Sequence, residues 1–221
     1  MRVRERLGIS NRRQRQLTRA MELSLVGIFF IGLDRGNLGI MINAGMAFAI
    51  TLVPAILERD YQIPMDAGLT LWITTAVFLH AVGTLGPYQN VWWWDHVTHG
   101  LSASLVAAVG YATVRALDAH YDDVYLPPRF MFIFILMFVV AFGVIWEVIE
   151  FGVSGLAVVF GGRAVLTQYG LDDTMLDLMF DTVGGLITAI WGTAYLSDVV
   201  GALTERLDNR MRGAEYGRRD D

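Results

Sequence analysis

The chain has 221 residues, is 54% hydrophobic and carries a net charge of −5. It has no cysteine, which excludes disulfides and thiolate metal sites, and its acidic balance does not favour binding to nucleic acid. The mean hydropathy of +0.45 is high for a soluble protein, and apolar runs of about 18 residues or more, each able to cross a bilayer core, recur. We therefore predict an all-α integral membrane protein, a single bundle of about six transmembrane helices.

The chain opens with an arginine-rich segment, residues 1–19, which we expect to lie in water or at the membrane surface. The apolar run behind it indicates a retained signal anchor, because no small-residue cleavage site followed by a soluble domain is present. The bundle is predicted to occupy residues 20–200, followed by a polar cytoplasmic tail over 201–221. The predicted spans are 20–33, 37–57, 67–86, 95–117, 129–151 and about 174–197.

A glycine-rich, moderately apolar stretch, residues 152–172, separates the last two spans. Its composition suits either a re-entrant loop or a lid at the membrane interface, and the sequence leaves both open.

The arginines predict the orientation of the bundle. All 17 basic residues are arginine, and with six spans 15 of them fall on the side of both termini, against Arg35 and Arg163 on the other side. Because cytoplasmic loops carry an excess of Lys and Arg, both termini are expected in the cytoplasm and the protein in the cell membrane. The acidic, lysine-free composition would also suit a salt-loving or GC-rich microbe.

Acidic and histidine side chains collect at the outer end of three predicted spans. The fourth span begins with WWWDHVTHG, whose tryptophans fit an aromatic belt at the interface. Asp95 and His99 in the fourth span, Glu147 and Glu150 in the fifth, and Asp173, Asp177 and Asp181 in the sixth are three or four positions apart, so each set shares a helical face. His96 lies beside Asp95 at the start of the fourth span.

Such a cluster is costly in a bilayer unless a positive partner compensates its charge. Carboxylates and histidines on facing helices are the means by which helix bundles hold metals, and ligands of this kind suit zinc, manganese, iron or magnesium. We therefore predict a divalent metal site. Its expected ligands are Asp95, His99, Glu147, Asp177 and Asp181, with His96, Asp173 and His80 as further candidates.

The same cluster suggests a catalytic arrangement. Glu147 or Glu150 would act as general base, and Arg163 would bind a phosphate through two parallel hydrogen bonds. Because the site lies at the depth of the outer leaflet, the expected substrate is a membrane lipid or lipid-linked headgroup, such as a lipid phosphate. The enzyme would be a metal-dependent hydrolase or transferase.

Simpler interpretations remain open for these residues. Asp95 also fits an N-cap of the fourth span, and Asp172 or Asp173 an N-cap of the sixth. His80 is equally suited to the site and to a buried hydrogen bond. The whole cluster would also serve as a structural salt-bridge network.

The ordered motifs resemble those of VanZ-like membrane proteins. That family has Asp-x-x-x-His opening one helix, a Glu with a second polar group three residues later, an Arg in the next loop, and Asp-x-x-x-Asn/Asp-x-x-Gly opening a further helix. The matching positions are Asp95 and His99, Glu147 and Glu150, Arg163, and Asp177, Asp181 and Gly184, within residues 93–190. The sequence segments WDHVTHG, WEVIEFG and DDTMLDLMFDTVGG resemble the YjdF-like uncharacterised inner-membrane proteins still more closely.

This chain is more acidic than the pattern it resembles. Glu150 stands where VanZ-like proteins commonly have Gln, and Asp181 where they commonly have Asn. These differences favour a cation at the site. VanZ-like proteins are associated with reduced susceptibility to a glycopeptide antibiotic, and the YjdF-like branch has no settled activity. The resemblance therefore implies no particular reaction.

Three classes of function fit the sequence. The first is the lipid-directed enzyme described above. The second is an ion or small-solute transporter, although the inner halves of the last three spans are apolar and offer no second half of a polar pathway. The third is a non-catalytic membrane subunit or scaffold, with a membrane-protein partner or a second copy of itself, in which the polar site or its metal is structural.

Overall fold

The computed structural model describes residues 10–121, 123–160 and 164–217, and within these ranges it contains helices and no strands. The all-α prediction is therefore confirmed. The helices, in chain order, are α1 Asn11–Asp34, α2 Leu38–Thr51, α3 Val53–Tyr61, α4 Ala67–Gly83, α5 Pro87–Asn90, α6 Trp94–His120, α7 Pro128–Val159 and α8 Leu171–Gly217.

Local sequence signals explain where the first helices begin. The side chains of Ser10, Asn37 and Asp66 each accept a hydrogen bond from a backbone N–H three residues later, which caps α1, α2 and α4. Gly36 has a φ of 57°, the left-handed conformation that lets the chain turn sharply between α1 and α2. Proline in the first turn starts α3 and α7.

Five helical stretches of the described chain are long and apolar enough to cross a membrane. One of them joins α2 and α3 as Leu38–Tyr61. The third predicted span corresponds to α4, which has only 17 residues and so extends about 26 Å, slightly less than a hydrocarbon core of about 30 Å. The five stretches are Asn11–Asp34, Leu38–Tyr61, Trp94–His120, Pro128–Val159 and Leu171–Gly192.

Several helices extend beyond the predicted spans. Helix α1 begins at Asn11, so part of the arginine-rich segment is helical. Helix α7 continues to Val159, into the glycine-rich stretch, and α8 runs without a break to Gly217, through most of the predicted tail. Glycine alone weakens a helix by only about 1 kcal/mol, and no proline interrupts these sequences.

The helices form two lobes. In the first lobe α1, α2 and α4 pack around the apolar side chains Leu25, Ile28, Ile40, Ala44, Ala47 and Ala81. In the second lobe α6, α7 and α8 enclose the larger core of Ala103, Ala107, Ala108, Tyr111, Met131, Ile135, Val139 and Leu196. Helix α4 contacts α6 and thereby joins the lobes. The first turn of α6 lies where the two lobes meet.

Helices α6 and α8 approach each other closely. A Cβ added at Gly184 would collide with the backbone carbonyl of Gly100, so a glycine is needed at position 184 for the two backbones to come together. Further along, Thr188 Oγ1 donates to the carbonyl oxygen of Ser104 over 3.0 Å. This close packing fixes the axial position of α8 relative to α6. It thereby fixes the relative positions of the acidic residues on the two helices.

Candidate metal centre

The ends of three helices bring the predicted cluster together. Helices α6 and α8 both begin at this end of the bundle. Helix α7 runs the opposite way, and Glu147 and Glu150 lie 19 and 22 residues after Pro128, about 29–33 Å along its axis. Antiparallel packing thus places the two glutamates beside the first turns of α6 and α8.

His96 and Asp177 form the best-defined pair of the cluster. Nδ1 of His96 lies 2.8 Å from Oδ1 of Asp177, and both residues are at most 4% exposed. The ring of His96 also stacks on Phe180 with centroids 5.3 Å apart. Asp177 is therefore held in one orientation, with its second oxygen directed toward His99.

His99 lies among three carboxylates without a short hydrogen bond to any of them. Its Nε2 is 3.7 Å from Oδ1 of Asp95 and 4.0 Å from Oδ2 of Asp177, and its Nδ1 is 3.6 Å from Oδ1 of Asp181. Hydrogen bonds of this kind are normally about 2.7–3.2 Å long. Two ligands of one tetrahedral metal with bonds of about 2.1 Å lie about 3.4 Å apart, which is close to the observed spacing.

Glu147 has one satisfied and one unsatisfied carboxylate oxygen. Oε2 accepts a hydrogen bond of 2.7 Å from Thr174 Oγ1, which in turn accepts one from Gln168. Oε1 is buried and has no partner, although the residue is only 5% exposed. Glu150, one turn later, accepts a 2.9 Å hydrogen bond from the indole of Trp146. An unpaired buried carboxylate oxygen is costly, so it indicates a missing positive partner.

The ligand atoms fall into three overlapping groups, each spanning no more than 4.8 Å. His99 belongs to two of the groups and Asp177 to two, so they form one continuous centre. Asp181 contacts His99 but belongs to none of the groups. The groups are Asp95, His99 and Asp177; His96, Asp173 and Asp177; and His99, Glu147 and Glu150.

His80 lies beside the cluster but uses both ring nitrogens within the protein. Its Nε2 is 3.0 Å from Oδ1 of Asn43, whose amide nitrogen donates to the carbonyl oxygens of Gly39 and Val165. The Asn43 oxygen must then accept from Nε2–H, and Nδ1 must accept from the Tyr88 hydroxyl at 2.6 Å. This geometry favours the hydrogen-bonding role of His80 over metal ligation.

The other residues singled out from the sequence have different positions. Asp95 lies inside the first turn of α6 rather than capping it, because the N-cap position is Trp93. Trp92 is 81% exposed, whereas the indole of Trp94 donates to the carbonyl oxygen of Leu79. Arg163 lies outside the described residues.

A polar cavity of about 670 Å³ adjoins the cluster. It lies between the lobes, and Asp95 and Glu150 form part of its wall. The irregular segment before α8 covers it and is tied to α7, since Ser154 Oγ donates to the carbonyl oxygen of Leu166 and accepts from the backbone N–H of Gln168. Burial, and then the negative charge of Asp95, Asp173 and Glu150, raises the pKa of Tyr169 at its edge.

Sequence reasoning missed the polar residues that support the cluster. Asn43 and Tyr88 hold His80, and Thr174 and Gln168 hold Glu147. Thr174 lies one residue after Asp173 and three before Asp177, so its place on the acidic face was available as a signal. The partners of His80 lie 37 and 8 residues away from it in the sequence, on other helices, so they left no such pattern.

Tyr88→Phe is expected to lower the free energy of unfolding by about 1–2 kcal/mol, because Nδ1 of His80 loses its buried donor. Metal content is expected to stay at the wild-type level, since His80 is then a support and not a ligand. Thermal unfolding in detergent and elemental analysis of the same sample measure both quantities. Loss of metal from this variant would show that His80 belongs to the first coordination shell.

The fold and the cluster together define a polytopic helical membrane protein with a buried acidic and histidine centre. The chain belongs to the family described as "Predicted membrane protein (DUF2238)", which matches residues 17–198. An uncharacterised protein of Thermotoga maritima is 33% identical over 133 residues, covering 59% of this chain and 65% of that protein. The match thus spans just under two thirds of the relative's length. No solved structure matches the chain.

Proposed function

We propose that this protein binds a divalent metal at the cluster and uses it in a reaction on a membrane lipid or lipid-linked headgroup. The observation that carries the proposal is the buried Oε1 of Glu147, which has no hydrogen-bond partner although its carboxylate lies within reach of His99 and Glu150. A divalent cation would satisfy this oxygen and hold the surrounding acids together.

The charge balance of the cluster supports a cation. Six carboxylates from α6, α7 and α8 lie in or beside the three candidate ligand groups, and in the described chain their ion-pair partners are the two histidines alone. Two imidazolium groups would offset at most two of these charges. Uncompensated carboxylates in a bilayer cost several kcal/mol each. A bound divalent metal would compensate the negative charge that the two histidines leave.

The roles proposed for the residues follow from their surroundings. Asp95, His99 and Asp177 would form one side of the coordination shell, and Glu147 would complete it, with Asp181, His96 and Asp173 in support. Glu150, held by Trp146, would act as general base, and Arg163 as a phosphate-binding residue. When bound, zinc, manganese, iron or magnesium would polarise a substrate oxygen or activate water.

The proposed location is the cell membrane with both termini in the cytoplasm. The supporting observation is the distribution of arginine, which places 15 of 17 on the side of the termini. The cluster then lies at the outer face, where lipid headgroups are within reach. The resemblance of residues 93–190 to VanZ-like and YjdF-like proteins supports the same assignment of site residues.

The test is metal-dependent conversion of lipid by the full-length protein in nanodiscs. The protein is stripped with chelator, reloaded with each of the four metals, incubated with a total polar lipid extract and examined by lipid mass spectrometry. We expect one lipid class to change in a metal-dependent way, and Glu147→Gln to slow that change by about 100-fold or more. Asp208→Asn, which alters the His120–Asp208 pair at the opposite end of α6, is the matched control and should retain activity.

Metal-loaded wild-type protein that leaves every lipid unchanged would contradict the enzymatic proposal. A metal retained in that case would have a structural role, as in a non-catalytic subunit or scaffold.

A further inference from the structure

The cavity beside the cluster combines groups from both lobes. Asp95 and Glu150 of the second lobe face it, and Arg35, in the turn between α1 and α2, lines it from the first lobe. The backbone N–H of Arg35 donates to the carbonyl oxygen of Ile31, whereas its exposed side chain has no hydrogen-bond or ion-pair partner among the described residues. Its guanidinium therefore offers five donors to whatever enters the cavity.

Neutral polar groups line the space around this arginine. Gln89 and Tyr169 contribute to the wall, and neither side chain has a hydrogen-bond partner among the described residues. A tyrosine hydroxyl is protonated at neutral pH, since its ordinary pKa is about 10, so Tyr169 is available to donate. The Asn43–His80–Tyr88 chain forms a more rigid part of the wall, since its groups are already bonded to each other.

These features match a ligand that carries both an anion and hydroxyl groups. An arginine binds phosphate through two parallel hydrogen bonds, and phosphate oxygens are also good ligands for hard divalent cations. Without a metal, Asp95 and Glu150 would repel an anion from this cavity. A bound metal would offset this repulsion, and the guanidinium of Arg35 would then pair with the anion from the other lobe.

We propose that this cavity binds a phosphorylated headgroup, with its phosphate between the metal centre and Arg35 and its hydroxyl groups against Gln89 and Tyr169. This inference rests on the proposed metal site and adds the substrate class to it. It also gives the first lobe a function, because Arg35 is the residue by which that lobe completes the site. The volume of about 670 Å³ is within the range of ordinary ligand pockets.

The experiment measures binding of dioctanoyl phosphatidic acid to the full-length protein in detergent, by calorimetry, with manganese and after chelation. Dioctanoylglycerol is the probe that lacks phosphate, and glycerol 3-phosphate is the probe that lacks the lipid. The variants are Arg35→Gln and Arg35→Lys. Arg129→Gln is the matched control, because Arg129 is exposed at the start of α7, at the other end of the bundle.

We expect Arg35→Gln to weaken binding of phosphatidic acid by about tenfold or more, and Arg35→Lys to weaken it less, since lysine keeps the charge but loses the paired hydrogen bonds. Arg129→Gln should bind like the wild type, and dioctanoylglycerol should not bind. Glycerol 3-phosphate that binds as tightly as phosphatidic acid would identify a soluble phosphate ester as the ligand of the same cavity.

Equal affinity of the wild type and Arg35→Gln for phosphatidic acid, in protein that holds its metal, would overturn this inference and leave the metal site intact. Binding that depends on Arg35 but is unchanged by chelation would support the cavity assignment and contradict the metal site. The two failures are therefore separable.

Discussion

Gly184→Ala is expected to lower the free energy of unfolding by about 3 kcal/mol. The added methyl group would collide with the carbonyl oxygen of Gly100 and would lie 3.1 Å from the backbone nitrogen of Ser104. These are backbone atoms of α6 and cannot rotate away as a side chain would. The two helices must separate, and the acids at the start of α8 would then shift relative to His99.

The measurement is thermal unfolding of the purified variant in detergent, followed by its metal content. Gly201→Ala is the matched control in the same helix, because no heavy atom lies within 4 Å of its added methyl group. That change should be neutral or stabilising by up to about 1 kcal/mol, since alanine favours helix. A Gly184→Ala variant as stable as the wild type would contradict the close approach of α6 and α8.

His99→Leu is expected to abolish metal binding and to lower the free energy of unfolding by about 3–5 kcal/mol. His99 belongs to two of the three candidate ligand groups, and it is the imidazole that contacts Asp95, Asp177 and Asp181 together. Without it these carboxylates face each other, and two of them have side chains that are at most 6% exposed.

The control is His120→Leu, which removes the histidine of the His120–Asp208 pair at the other end of α6. The side chain of its partner, Asp208, is 38% exposed, so water can solvate the carboxylate and the expected loss is about 1 kcal/mol. Elemental analysis and thermal unfolding of the two variants compare the sites directly. A His99→Leu protein that keeps its metal and its stability would show that the imidazole is not essential to the centre.

Helical periodicity predicted which acidic and histidine residues share a helical face. The four-residue spacing of Asp95 and His99, and of Asp173, Asp177 and Asp181, places each set on one face of a helix. Antiparallel spans of similar length then bring these faces to the same height. Both inferences need only local sequence and helix geometry, so they did not depend on knowing how the helices pack.

Features that depend on packing between distant helices were not predictable in the same way. The role of His80 is decided by Asn43 and Tyr88, which come from α2 and from the short helix α5. Arg35 was assigned only to topology, because its place on the cavity wall follows from how the first lobe meets the second. The extension of α7 to Val159 was not predicted, because glycines are typical of loops, yet an isolated glycine within an apolar helix costs only about 1 kcal/mol.

Elemental analysis of the protein purified in detergent without chelator, beside a Glu147→Ala/Asp177→Ala double variant, is the direct test of the metal centre. We expect about one or two equivalents of a divalent metal in the wild type and none in the variant. Chelation should also lower the unfolding temperature of the wild type, because a ligand bound only to the folded state stabilises it. No metal in either protein, with equal thermal stability, would contradict the metal centre and leave the cluster as a network of shared protons and ion pairs.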